Sequence, residues 1–149
     1  MPLHSLVLSV EPALQLALDP PLSIVPVIDG TSLVDLVKGY ETARGWSPAG
    51  GYAGLLPDIL DCRDLTEYFA GKSWRDDTRI WVLGCDCGEP GCWPLETQID
   101  ITGSTVTWSR FKQPYRPARD YSELGPFIFG KTAYHAAVES AATQIPPWG

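Results

Sequence analysis

The sequence predicts a single α+β domain, in which two or three helices cover an antiparallel sheet of four or more strands. Strand patterns dominate the middle of the chain, whereas the clearest helical patterns lie near Ser32 and at the C-terminal end. Separate runs of helices and antiparallel strands are typical of this class. The 149 residues contain no linker, internal repeat or shift in composition, so one globular domain over residues 1–149 is expected.

Two strand patterns open the N-terminal half. Residues 14–18 alternate between more and less apolar side chains, and residues 22–28 are rich in β-branched side chains. Pro26 lies inside the second pattern. Because proline cannot donate a hydrogen bond to a neighbouring strand, Pro26 predicts an edge strand or a bulge.

A helix is predicted over residues 33–44. Ser32 can cap its first turn, and Gly45 can end it in the left-handed conformation. Apolar side chains fall on one helical stripe, formed by Leu33, Leu36, Val37 and Tyr40. Glycine and proline then predict a loop over residues 46–57, and a capping pattern at Asp64 predicts a short second helix.

A β-hairpin is predicted around the two-residue turn Gly103-Ser104. Residues 79–84 form a buried-strand run, residues 95–102 a second strand, and the chain after the turn a third. This turn sets Ile99 opposite Trp108 and Ile101 opposite Val106, so one face of the hairpin is apolar. Residues 125–131 and an alanine-rich helix before Pro146 complete the predicted fold.

Composition and charge argue against several functions. Eighteen acidic against eleven basic residues give a net charge of −7, which disfavours binding to nucleic acid or to an anionic membrane. No apolar stretch is long enough to span a membrane, and the N-terminus lacks the basic start of a signal peptide. A cytoplasmic protein is expected. The sequence identifies no partner and leaves homo-oligomerisation open.

The sharpest functional signal is a cluster of cysteines. Three of the four cysteines, Cys85, Cys87 and Cys92, lie within eight residues, and Cys62 is the fourth. Four thiolates can hold a structural zinc ion, although the spacing C-x-C-x4-C differs from the usual C-x2-C pairs. Three alternatives remain open: a disulfide, a nucleophilic or redox thiol, and small side chains buried in a tight turn.

A different site is suggested by basic and aromatic residues after the hairpin turn. Arg110, Lys112 and Arg116 interleave with aromatic side chains, a pattern that can neutralise and stack on an anion or a single-stranded nucleic acid. Trp93 and Trp108 are the aromatic candidates. The overall acidity makes this the minority hypothesis, since charge runs usually form a solvated rim.

The chain resembles a family of small uncharacterised bacterial proteins. The resemblance covers about two-thirds of the chain and rests on three motifs, C-x-C-G-x(3)-C-W, V-x-W-x-x-F-x-x-P-x-R and L-G-P-F-x-F. They fall here on Cys85, Cys87, Gly88, Cys92 and Trp93; on Val106, Trp108, Phe111, Pro114 and Arg116; and on Leu124, Gly125, Pro126, Phe127 and Phe129. A closing helix with Tyr134 and Ala137 and the segment 50–57 also fit the resemblance. It implies no activity, and Cys62 is not part of it.

The leading hypothesis is therefore a non-enzymatic metal-binding or interaction module centred on the loop 85–93, with zinc as the expected cofactor. The first alternative is a small enzyme or redox protein that uses Cys85, Cys87 or Cys92 as its thiol. The second is an anion or nucleic-acid binder that uses Arg110, Lys112 and Arg116.

Overall fold

The structure, a computed structural model, describes residues 3–12, 22–47, 49–56, 65–71, 78–85 and 94–145. The predicted strand over residues 14–18 lies outside the described residues. So do Cys62, Cys87, Cys92 and Trp93, and Cys85 is described only in its backbone.

The described chain has antiparallel strands in runs that are separated by helices, which confirms the α+β prediction. Its strands and helices are, in sequence, β1 (Leu6–Pro12), β2 (Leu22–Ile28), β3 (Thr31–Ser32), α1 (Leu33–Ala43), β4 (Tyr52–Ala53), α2 (Leu65–Tyr68), β5 (Arg79–Cys85), β6 (Leu95–Ile101), β7 (Thr105–Lys112), β8 (Phe127–Gly130) and α3 (Lys131–Thr143). Strand β1 was not predicted, and β4 lies inside the predicted loop 46–57.

The strands form two antiparallel sheets that are joined by two isolated bridges. The first has the order β1-β2-β3 and the second the order β4-β5-β6-β7-β8. A parallel bridge between His4 and Phe129 links the start of β1 to β8, and an antiparallel bridge between Ile24 and Leu55 links β2 to the chain after β4. The pairings therefore run in a ring through both sheets.

The predicted hairpin is confirmed in its register. Ile99 pairs with Trp108 and Ile101 with Val106, as the two-residue turn requires. Ile99, Trp108 and Val106 are buried, but Ile101 is 41% exposed. Ile101 lies next to the turn, where the sheet ends, so its apolar side chain is only partly covered.

The prediction that Pro26 marks an edge strand or a bulge is wrong. Strand β2 is the central strand of its sheet, and its pairing with β1 is regular through Pro26, which faces Leu8. On its other side, β2 is paired at Ile24 by Leu55 and at Val27 and Ile28 by β3. Pro26 lies between the residues that pair with Leu55 and those that pair with β3. No described strand faces it there, so the N–H that proline lacks is not needed for pairing.

Helix α1 begins and ends as predicted. The side chain of Ser32 accepts a hydrogen bond of 3.1 Å from the backbone N–H of Val34, and Gly45 follows the last turn with φ of 72°. The residues of α1 that are fully buried are Leu33, Val37 and Glu41. The third is a carboxylate, and it is the centre of a site described below.

A single hydrophobic cluster contains side chains from both sheets and from all three described helices. Its most buried members include Ile24, Val37, Phe69, Trp108 and Val138. Among the described residues, no helix is long and apolar enough to cross a membrane.

Candidate functional site

The cysteine loop starts and ends on two adjacent core strands. The chain leaves β5 at Cys85 and enters β6 at Leu95, and Leu83 pairs directly with Leu95. Both leucines are 0% exposed, and the backbone of Cys85 pairs with Tyr52 of β4 on the other side. The two ends of the loop are therefore held side by side by three strands.

The predicted metal ligands are largely outside the described residues. Cys62, Cys87 and Cys92 are not described, and only the backbone of Cys85 is placed. Within the described ranges, no group of three or more His, Cys, Asp or Glu side chains is positioned to hold a metal ion. The zinc prediction is not tested by this finding, since it depends on the other cysteines.

A β-bulge lies on β7 close to the base of the loop. Glu96 pairs with Lys112 and Gln98 with Ser109, so Arg110 and Phe111 together oppose one residue of β6. Arg110 takes a positive φ of 53°, which a non-glycine residue adopts only when its surroundings hold it there.

Arg79 connects this bulge to the buried carboxylate of Glu96. Its guanidinium donates hydrogen bonds to Glu96 Oε1 and to the backbone oxygen of Arg110, each with a donor–acceptor distance of 3.3 Å. Glu96 is 2% exposed, so the ion pair lies beneath the surface at the start of β6. A buried charge needs a partner of opposite charge. Removal of Arg79 would take this ion-pair partner away from the carboxylate of Glu96.

The residues of the predicted anion site have different environments. Arg110 and Lys112 are exposed, whereas Arg116 is only partly exposed and its Nη1 atom is buried. Trp108 is 0% exposed, and its indole N–H donates to the hydroxyl of Tyr134 over 3.1 Å. This position in the core does not fit the prediction that Trp108 contacts a ligand.

A buried polar cluster, which we call the Glu41 cluster, was not anticipated from the sequence. It consists of Glu41, Gly50, Tyr52, Arg119 and Tyr121. Glu41 Oε2 accepts hydrogen bonds from the hydroxyls of Tyr52, at 2.9 Å, and Tyr121, at 2.5 Å. Its Oε1 accepts the backbone N–H of Gly50 at 2.7 Å, and the Arg119 guanidinium lies 3.3 Å from Oε2.

Aromatic rings cover the Glu41 cluster. Tyr40 stacks on Tyr121 with ring centroids 5.7 Å apart, and Trp46 meets Tyr121 edge-on at 5.3 Å. Arg119 lies over the Trp46 ring at 5.3 Å, and Arg44 lies over the Tyr40 ring at 4.0 Å. Glu41, Tyr52 and Tyr121 are accordingly almost inaccessible to solvent.

Burial changes the acidity of both tyrosines in the Glu41 cluster. The pKa of Tyr52 is raised well above its ordinary value, first by burial and then by its hydrogen bond to Tyr121 and the nearby carboxylate of Glu41. The pKa of Tyr121 is raised by burial and by its hydrogen bond to Glu41. Both hydroxyls therefore stay protonated and act as donors to the carboxylate at neutral pH.

One signal in the sequence could have located this cluster. Glu41 follows Leu33 and Val37 at the same four-residue spacing, so it lies on the buried stripe of α1. A carboxylate on such a stripe needs buried donors, which the sequence contains as Tyr52, Tyr121 and Arg119. Their separation along the chain hides the association.

A groove separates β1 from α3. It has a volume of about 320 Å³ and is lined by residues 6–10, Ala137, Ser140 and Gln144. The groove was not predicted from the sequence, because β1 itself was not predicted.

No protein-family model, curated protein or solved structure matches this chain. The resemblance to small bacterial proteins therefore remains a prediction based on motifs. Several residues of those motifs lie in the core, namely Val106, Trp108, Phe111, Leu124 and Phe129. Because these side chains pack in the core, this part of the motifs reflects the requirements of the fold.

Proposed function

We propose that this chain is a non-enzymatic binding module whose loop 85–93 holds one zinc ion through cysteine thiolates. The observation that supports the proposal is the pairing of Leu83 with Leu95, which brings the two ends of the loop together. Neighbouring strands lie roughly 5 Å apart, so the connection is closed at its base.

A closed base favours convergence of the thiols. Cys85 is the last residue of β5, and Cys87 and Cys92 follow within the same short connection. A zinc ion binds sulfur at about 2.3 Å in a tetrahedron, which requires ligands gathered around one point. A fourth ligand is needed, and Cys62 is the remaining cysteine of the chain.

The buried acids found elsewhere support a binding module over an enzyme. The carboxylate of Glu41 accepts hydrogen bonds from two tyrosines and a backbone N–H, and that of Glu96 is held by Arg79. Both are almost fully buried. A general acid or base must reach its substrate, and these groups are covered by protein. The thiol enzyme remains the competing hypothesis because it requires only the cysteines.

The test is the metal content of tag-free protein, measured with a count of reactive thiols before and after a chelator is added. The proposal expects about one zinc per chain and thiols that react only after chelation. Cys92→Ser should lose the metal and lower the unfolding temperature, whereas Cys62→Ser should do so only if Cys62 is the fourth ligand.

Ser140→Cys provides a matched control, since it adds an exposed thiol far along the chain from the loop. Its thiol should react without chelator and thereby show that the reagent works. Metal-free protein with four thiols that all react after denaturation would contradict the zinc proposal. Fast reaction of one native thiol near neutral pH would instead support the thiol enzyme.

A further inference from the structure

The outer edge of β1 can be identified from the hydrogen bonds of β2. The N–H and C=O of Ile24 both bond to Leu55, so they point away from β1. In an antiparallel pair, bonded and non-bonded positions alternate. The residues of β1 that face Ile24, Pro26 and Ile28 are Val10, Leu8 and Leu6, so their backbone groups point away from β2.

Within the described part of the chain, these outward groups have no backbone partner. His4, the preceding outward residue, donates its N–H to Ile128 of β8 over 2.7 Å. After Gly130, the chain turns into α3 and no longer follows β1. Within the described ranges, no hydrogen bond reaches the outward N–H or C=O of Leu6, Leu8 or Val10. As far as residues 3–12 and 22–145, with their gaps, are described, the ring of strands is therefore open along this part of β1.

The open edge lies in the groove between β1 and α3. Residues 6–10 form one wall, and Ala137, Ser140 and Gln144 form the other. Five strand residues span roughly 14 Å, which matches a short extended segment. Ser9, Ala137 and Ser140 have small side chains, so a backbone can approach the edge without displacing them.

We propose that this edge of β1 binds an extended peptide segment of another protein by strand addition. A row of alternating N–H and C=O groups is matched most completely by another strand, since its groups recur at the same spacing. Proteins commonly protect long free edges with charge, proline or a covering element. Between Leu6 and Val10 the edge contains no charged residue and no proline.

The side chains beside the edge indicate the kind of peptide. Val7 is 59% exposed and Leu3 is 55% exposed, so apolar surface continues along the strand. Glu11 is exposed at the far end of β1, and the chain has a net charge of −7. We expect a segment of β-branched or other apolar residues that is followed by basic and not by acidic residues.

A second copy of this chain fits the edge less well than a peptide does. In a symmetric dimer formed through this edge, the two β1 strands would pair antiparallel about a two-fold axis perpendicular to the sheet. Both α3 helices would then lie on the same face of the joined sheet. Helix α3 already lines the groove through Ala137, Ser140 and Gln144. The partner's helix would have to enter the same space, whereas a peptide strand brings no helix with it.

Amide hydrogen exchange tests the free edge directly. In the protein alone, the amides of Leu6, Leu8 and Val10 should exchange faster than those of Val7 and Ser9, whose groups pair with β2. Slow exchange at all five amides, in a protein that sediments as a dimer, would show that a second copy covers the edge. That result would overturn the peptide proposal.

Binding is tested with peptides selected from a random library displayed on phage. A recovered peptide should slow exchange at Leu6, Leu8 and Val10. The same peptide, methylated on alternate backbone nitrogens, should lose binding because it cannot pair with the strand. Recovery of no peptide, or equal binding of the methylated form, would overturn the proposal.

Variants of the two walls complete the test. Val10→Pro removes an outward N–H and should weaken the selected peptide about tenfold, whereas Val10→Ala keeps that N–H and should bind normally. Ser140→Trp should block the groove from α3 without a change in β1. Glu139→Trp is its control, since Glu139 is the exposed neighbour outside the groove lining. Full binding by both Val10→Pro and Ser140→Trp would contradict the proposed surface.

Discussion

The hydroxyl of Tyr121 donates a hydrogen bond of 2.5 Å to the carboxylate of Glu41, which lies 80 residues earlier in the chain. This contact joins α1 to the segment that precedes β8. The same carboxylate oxygen accepts a hydrogen bond from Tyr52 of β4 and lies 3.3 Å from the Arg119 guanidinium. One buried carboxylate thus fixes three separate parts of the chain relative to each other.

Removal of this carboxylate should be strongly destabilising. Glu41→Ala leaves the two buried tyrosine hydroxyls and the N–H of Gly50 without this acceptor, and the Arg119 guanidinium without the carboxylate that lies 3.3 Å from it. Breaking a buried charge pair in this way costs about 3–5 kcal/mol. Chemical denaturation should show this loss in the free energy of unfolding.

Glu139→Ala is the matched control, because Glu139 is exposed on α3. It should change the free energy of unfolding by less than about 0.5 kcal/mol. Equal stabilities of the two variants would show that the Glu41 cluster does not contribute as its geometry suggests.

The stability of the protein should fall at alkaline pH because of the tyrosines in the Glu41 cluster. The pKa values of Tyr52 and Tyr121 are raised in the folded protein, with burial as the first cause. The stabilising contribution is therefore complete below the unfolded pKa of about 10 and is lost as the pH rises toward the folded values. Free energies of unfolding measured across this range should decrease above pH about 10.

Removal of either hydroxyl should reduce this alkaline loss. Tyr52→Phe and Tyr121→Phe should each start from a lower stability at neutral pH and show a shallower decline. Tyr115→Phe, at a position that is 59% exposed, should leave the decline unchanged. A decline of the same steepness in all three variants would assign the effect to other groups.

Tyr134 should be needed for the attachment of α3 to the core. Its hydroxyl donates to the backbone oxygen of Phe69 at 2.5 Å and accepts the indole N–H of Trp108 at 3.1 Å. Tyr134→Phe leaves both groups buried and unpaired, which should cost about 1–3 kcal/mol in denaturation experiments. Tyr115→Phe again serves as the exposed control, and a loss as large in that variant would contradict the prediction.

The junction between the two sheets should tolerate no side chain at Gly54. A Cβ atom there would lie 2.8 Å from the Val25 side chain and 2.9 Å from the backbone oxygen of Ile24. Gly54→Ala would force these atoms apart beside the bridge between Ile24 and Leu55 and should destabilise the protein by about 1–3 kcal/mol.

Gly39→Ala is the matched glycine control. Gly39 lies in α1 with nothing within 4 Å of the added atom, so alanine should raise the stability by about 1 kcal/mol. Thermal unfolding of the two variants should therefore shift in opposite directions. A stabilising Gly54→Ala would contradict the close approach at the junction.

The parts of the fold that local patterns determine were predicted well. Ser32 and Gly45 mark the ends of α1, because capping depends on residues within one turn. The register of Ile99 against Trp108 follows from the length of the turn. Such features require only neighbouring residues, and a single sequence contains them.

The features that depend on distant residues were missed. Pro26 suggested an edge strand. The local sequence does not show that Leu55 pairs with one part of β2 and β3 with another, which leaves Pro26 without a described partner on that side of a central strand. The Glu41 cluster joins residues up to 80 positions apart. Trp108 packs against Phe69, which lies earlier in the chain, and against Phe129 and Tyr134, which lie later. The open edge of β1 depends on where β8 ends, which no local pattern records.

The pair of His4 and Asp29 should make the start of β1 sensitive to acid. His4 Nδ1 lies 2.6 Å from Asp29 Oδ2, and the backbone N–H of Ser5 donates to Oδ1 at 2.8 Å. The hydrogen bond to His4 is the first cause that lowers the pKa of Asp29, followed by the bond from Ser5. Its contribution to stability is present above the unfolded value of about 3.9 and is lost as the pH falls through the lower folded value.

Carboxyl titration by NMR measures this effect directly, and His4→Ala should move the pKa of Asp29 upward. Asp29→Asn should remove this part of the acid dependence while it keeps the backbone, since asparagine tolerates the φ of 52° found at this position. Because His4 also donates its backbone N–H to Ile128, the strand should stay attached to β8 in both variants. An Asp29 pKa that does not change in His4→Ala would show that Ser5 alone stabilises the charge.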